Sequence, residues 1–98
     1  MPRLNYSSQA STDLIRLFNF LAEKDVPTAQ RAIQEIRDDL AALTRMPKIG
    51  RPVEEGFREL VIDFGSSGYL ALYDFDEMFD TITVYAVRHQ KENDYQQI

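Results

Sequence analysis

The sequence predicts an α+β domain with the element order β-α-α-β-β-β: a helical hairpin packed on one face of a small antiparallel sheet. Three observations carry this expectation. Apolar residues recur at three- and four-residue spacing between about residues 14 and 43, then at spacing two from residue 57 onward. Residues 44–56, "TRMPKIGRPVEEG", hold two prolines and two glycines without any period, and separate the two regimes. Three strand-like runs follow, joined by short turns. At 98 residues the chain is expected to be a single domain over 1–98.

The elements follow in order. "RLNY" (residues 3–6) alternates loosely and reads as a short strand at the edge of the sheet. Ser7 and Ser8 are suited to cap a helix. Leu14, Leu17, Phe18, Leu21 and Ala22 then mark one helical face, which Ile15 and Phe20 widen. "EKDVPT" breaks the period, and Pro27 fits the first turn of a second helix. Ala29, Ala32, Ile33, Ile36, Leu40 and Leu43 form its apolar stripe, opposite a solvated face of Arg31, Glu35, Asp38 and Asp39. So short a connection implies an antiparallel hairpin.

In "FRELVIDF" (57–64), Leu60, Ile62 and Phe64 share one face with Arg58. Phe57, Glu59, Val61 and Asp63 share the other. "GSSG" supplies a turn, so Ser66 and Ser67 read as turn residues. "YLALYDF" (69–75) and "TITVYAVRH" (81–89) are strands around the polar turn "DEMFD", and Tyr69, Tyr73 and Tyr85 read as amphipathic strand aromatics. The polar tail "QKENDYQQI" is compatible with a short helix or an extended arm.

Charge narrows the function. The net charge is −5, and it is unevenly spread: residues 1–48 sum to +1 and residues 49–98 to −6. Nucleic-acid binding draws on cations that neutralise phosphates, so no direct nucleic-acid contact is expected. Acidic surfaces suit basic protein partners. The absence of cysteine excludes disulfides and thiolate zinc sites, and a single histidine argues against any metal site. No cofactor motif is present. No basic-then-apolar leader and no membrane-length apolar run is read, so a cytoplasmic setting is expected.

The "IGRPV" loop, the arginine opening "FREL", "SSGY", the tyrosine in "LALYDF" and the closing "AVRHQKENDY" together, in this order, resemble the ParE/RelE superfamily of plasmid-stabilisation-type toxins from type II toxin–antitoxin modules. The resemblance spans essentially the whole chain. It implies neutralisation by a cognate antitoxin, and it leaves a homodimer or a hetero-oligomer with that antitoxin both open. It also implies one of two activities. ParE-like members inhibit DNA gyrase by protein–protein binding, whereas RelE-like members are ribosome-dependent mRNA endoribonucleases.

For the ribonuclease, the resemblance implies two lysines before "SSGY", an arginine after its tyrosine, a second arginine past the last strand and a tyrosine six residues on. Registered without gaps, those positions hold Val61, Asp63, Leu70, His89 and Tyr95. The tyrosine persists and the cations do not, which favours the gyrase inhibitor over an enzyme. No catalytic residue is then assigned. If the chain is a ribonuclease, its candidates are Arg51, Arg58, Arg88, His89 and Tyr95. A third reading is a degenerate toxin retained as a partner of its antitoxin. Each candidate also has a structural reading. Arg51 and Arg58 either hold a phosphate or pair with Glu54, Glu55 or Glu59. Tyr95 either pins the tail to the sheet or belongs to a catalytic site, and His89 reads as structural.

Overall fold

A computed structural model describes residues 1–96; Gln97 and Ile98, the last two residues of the predicted tail, lie outside the described residues. The elements are β1 (Arg3–Tyr6), α1 (Ser8–Ala22), α2 (Val26–Ala41), β2 (Arg51–Pro52), β3 (Arg58–Phe64), β4 (Ser67–Asp76) and β5 (Thr81–His89). The five strands lie in the order β1-β5-β4-β3-β2.

The predicted hairpin is present. Ser7, one of the two serines suited to cap the first helix, does so, while Ser8 begins that helix, and Asp25, read only as part of the break between the helices, caps the second. The Ser7 hydroxyl accepts from the amide of Ala10 at 3.0 Å, and the Asp25 carboxylate accepts from the amide of Thr28 at 3.1 Å. Each satisfies an amide that the first turn leaves without a helical partner. Leu14, Leu17, Ile36, Leu40 and Leu43 are buried with Ile62, Tyr69, Ala71, Tyr73, Ile82, Val84 and Val87, forming one core between the helices and one face of the sheet. Burying these side chains is the main favourable term in folding.

Four local expectations are corrected. The sheet is mixed, because β1 runs parallel to β5 while the other pairs are antiparallel. Arg51 and Pro52, read as loop, form a short edge strand against Glu59 and Arg58. The "GSSG" turn is tighter than expected: Phe64 pairs with Ser67, leaving only Gly65 and Ser66 between strands. Gly65 adopts φ 57°, the positive φ that the first central position of a type II′ hairpin requires. Finally, Ile15 and Phe20 do not widen the buried face; they are 63% and 68% exposed.

One irregularity decides what faces what. Leu72 pairs with Ala86 but Tyr73 pairs with Val84, so Tyr85 is an extra residue in β5. Such a bulge shifts the alternation by one. Ile82 and Val84 face the helices before it, and Val87 faces them after it. The amide of Val87 donates to the buried carboxylate of Asp13 at 2.9 Å. Asp13 also accepts from Gln9 at 2.9 Å and pairs with Arg16 at 3.4 Å, so a charged residue inside the core is satisfied on several sides. It ties α1 to β5.

Candidate functional site

Neither α1 nor α2 packs on the second face of the sheet. Cross-strand pairing lines up Glu59 with Leu72 and Ala86, and Val61 with Leu70 and Arg88. Across this face folds the segment after β5. Glu59 lies beneath it, only 6% exposed. Three side chains meet around Glu59. The Arg51 Nε donates to Glu59 Oε1 at 3.0 Å, and its Nη2 donates to the same oxygen. The Tyr95 hydroxyl donates to Glu59 Oε2 at 2.5 Å. The Arg88 guanidinium lies 5.1 Å from the centre of the Tyr95 ring, in cation–π contact. Arg88 also donates to the carbonyls of His89, at 3.4 Å, and Glu92.

The electrostatics follow from these contacts. Burial pushes the Glu59 carboxyl upward, but the hydrogen bonds from Tyr95 and Arg51 outweigh it and hold the group below the ordinary carboxylate range. Burial first, and the hydrogen bond to Glu59 second, push the Tyr95 hydroxyl far above the usual tyrosine value. Tyr95 therefore stays protonated at neutral pH, and the tyrosinate that could take up a proton is scarcely populated. A nuclease tyrosine that moves a ribose proton works better with its pKa nearer the operating pH. The cleft beside Tyr95, about 560 Å³, is walled by Glu54, Glu55, Glu59 and Asp94 as well as Arg51, a lining that repels a phosphate.

The five ribonuclease candidates thus divide. Arg51, Arg88 and Tyr95 come together on the open face, but around a carboxylate. Arg58 lies on the opposite face beside Tyr73, where its Nη1 donates to the carbonyls of Gly50 at 2.8 Å and Lys48 at 3.1 Å. It ties down the 45–50 loop and pairs with none of the three glutamates offered to it. The Tyr73 hydroxyl completes that clamp, accepting from the amide of Gly50 at 2.8 Å and donating to the Pro47 carbonyl at 2.9 Å. His89 is also turned to the helix side, where its ring meets Tyr69 edge-on at 5.2 Å and its Nδ1 accepts from the amide of Lys91 at 3.0 Å. The side chain beneath Tyr95 is Arg88, not His89, because the bulge at Tyr85 shifts the alternation. Glu59, the centre of the cluster, was missed as a focus. Its sequence signals were its parity with Val61 and Asp63 and its place among the three glutamates offered as partners for Arg51, the one of them that Arg51 takes.

A second feature lies where α1 meets the start of β4 and the end of β5. This groove, about 580 Å³, is lined by Leu17, Phe20 and Tyr69 together with Arg16, Lys24, Lys91 and Glu92, and Glu92 pairs with Arg16 at 2.8 Å. Among the described residues no group of three or more His, Cys, Asp or Glu is placed to hold a metal ion, and no helix is long and apolar enough to cross a membrane.

Residues 4–94 match the family model described as the ParE toxin of the type II toxin–antitoxin system parDE. The chain belongs to the ParE toxin family. Among curated relatives, Toxin RelE3 of Caulobacter vibrioides is 28% identical over 92 residues, covering 94% of this chain and 98% of that protein. Toxin RelE1 of the same organism is 37% identical over 67 residues, 68% of this chain and 72% of the relative. Among solved structures, a chain of the chromosomal ParDE system from P. aeruginosa superposes with a TM-score of 0.75 at 22% identity, covering 91% of this chain and 96% of the other. That likeness shows the ParE/RelE fold: two helices on a five-stranded sheet. The matching model bears the ParE name and the curated relatives bear RelE names. Similarity therefore leaves the division between the two activities to the residues of the open face.

Proposed function

We propose that this ParE-family toxin acts by binding a protein target, DNA gyrase, and not by cutting messenger RNA. One observation carries the reading: two of the donors a nuclease would aim at a phosphate, Arg51 and Tyr95, are committed to the buried carboxylate of Glu59. Around them stand Val61, Asp63 and Leu70 where the ribonuclease pattern calls for cations. Stabilising charge on phosphorus requires preorganised donors free to meet it. Here bound RNA would have to displace an internal anion first. The ribonuclease alternative draws on one observation, Arg88 lying beneath Tyr95.

In this reading the toxin sits in the cytoplasm and is silenced by a cognate antitoxin. The groove beside α1 supports that partner, because its apolar lining, with Lys24 and Lys91 beside the Arg16–Glu92 pair, fits an amphipathic acidic peptide. Purified toxin, gyrase, ATP and relaxed plasmid test the proposal. Supercoiling is expected to stop, with protein-linked DNA breaks accumulating, and added antitoxin is expected to restore it. Undisturbed supercoiling at toxin concentrations that arrest cell growth overturns it.

A further inference from the structure

The turn between β4 and β5 stands apart from both features described so far. Residues 74–80 read Asp-Phe-Asp-Glu-Met-Phe-Asp, four carboxylates and no cation. At its end Met78 and Phe79 are 86% and 70% exposed, side by side. Single exposed apolar residues are common, but an adjacent Met and Phe at a projecting tip is a concentrated apolar knob. The tip is also tightly tied. The Asp76 carboxylate accepts from the amides of Met78, at 3.0 Å, and Phe79, at 3.2 Å. The Thr81 hydroxyl donates to the Phe79 carbonyl at 2.9 Å, and the Arg3 amide donates to the Asp80 carbonyl at 2.9 Å. Lys48 pairs with Glu77 at 2.8 Å.

Resting on the reading above, that the toxin works by binding a protein, we propose that this tip is its target-contacting surface. Met78 and Phe79 insert into an apolar pocket on the target whose rim carries lysine or arginine. A backbone held in place before binding loses little freedom on docking, so its apolar area converts efficiently into affinity. Phe supplies rigid area and Met adapts to the pocket. Asp74, Asp76 and Asp80 supply the charge that selects a basic rim, Glu77 being paired with Lys48, and the same charge repels nucleic acid and anionic lipid. The tip lies at the far end of β4 from the groove, ~30 Å away by strand rise, so an antitoxin in the groove leaves it free.

The test compares the native chain with Met78→Ser/Phe79→Ser and with Asp80→Asn; Asn tolerates the positive φ of 49° at Asp80. Circular dichroism and melting establish that each variant is folded. Binding to purified gyrase, inhibition of supercoiling and sedimentation are then measured. The apolar double variant is expected to lose tenfold or more in gyrase affinity and inhibition, as buried anchor residues do, while keeping antitoxin affinity. The charge variant is expected to bind more slowly and with weaker salt dependence. A folded apolar variant that inhibits as well as an active native chain overturns this inference and leaves the gyrase reading standing. An inactive native chain removes the gyrase reading and this inference with it. Self-association of the native chain that the apolar variant abolishes also overturns it, since the occupant is then a second copy, its basic groove receiving the tip.

Discussion

Replacing Tyr95 by Phe tests the role assigned to the open face. The substitution removes one hydroxyl and keeps the ring over Arg88, so only the bond to Glu59 is lost. That bond joins a neutral donor to a buried charged acceptor, and such bonds contribute ~1.5–3 kcal/mol net. Glu59 is 6% exposed, so water cannot readily replace the hydroxyl, although Arg51 still holds the other oxygen. The expected loss is about 2 kcal/mol at pH 7. For a domain of this size that lowers Tm by roughly 8–16 °C. Urea unfolding should show a lower midpoint at unchanged slope. A double-mutant cycle with Glu59→Gln isolates the pair: in the Gln background Tyr95→Phe should cost at least about 1 kcal/mol less than in the native one. A loss under about 0.5 kcal/mol, or equal losses in both backgrounds, would refute the latch. Gyrase inhibition by the folded variant should be unchanged, whereas a catalytic tyrosine would not tolerate the change.

Three further outcomes follow from the fold. Asp13→Ala leaves the Val87 amide without its buried partner and should cost roughly 3 kcal/mol, read by thermal melting. Gly50→Ala would put a Cβ 2.6 Å from the Tyr73 ring and 2.9 Å from the Glu59 carbonyl oxygen, so melting should show a loss of about 1–3 kcal/mol. Burial, then the hydrogen bond and the charge of Glu35, with Asp38 and Asp63 adding to them, raise the Asp39 carboxyl to about 6. A carboxyl raised in the folded state takes up its proton more readily there than when unfolded. Asp39 therefore opposes folding at neutral pH, and that opposition is relieved as pH falls through about 6. Tm should rise between pH 7 and 5, Asp39→Asn should raise it at pH 7 and flatten that rise, and a flat profile in the native chain would contradict the assignment. Below the ordinary carboxylate range near pH 4 the trend should reverse, as Glu59 and Glu92, both held low, lose their partners.

The helices were legible because their signals are local. Ser7 caps the first, Pro27 opens the second, and the apolar period names Leu14, Leu17, Ile36 and Leu40. The direction of β1 was not legible, since nothing within "RLNY" encodes a partner strand that starts at Thr81. Parity in β3 correctly separated Leu60, Ile62 and Phe64 from Glu59, Val61 and Asp63. It could not show that the tail returns over that second face to bury Glu59 beneath Tyr95, a contact 36 residues apart. Nor does the sequence show the bulge in β5, where one extra residue, Tyr85, exchanges the faces of Arg88 and His89. The candidate site was thus half legible. Of the five residues named together, Arg51, Arg88 and Tyr95 meet on the open face, while Arg58 and His89 belong to the packing of the other face.

The most direct measurement of the central claim is the mapping of messenger 5′ ends on ribosomes incubated with the purified toxin. A cluster clamped on its own carboxylate, with Val61, Asp63 and Leu70 beside it, predicts intact message at concentrations that stop gyrase. Cleaved message that disappears with Arg88→Ala and with Tyr95→Phe, both folded, would contradict the account and make the open face a nuclease site.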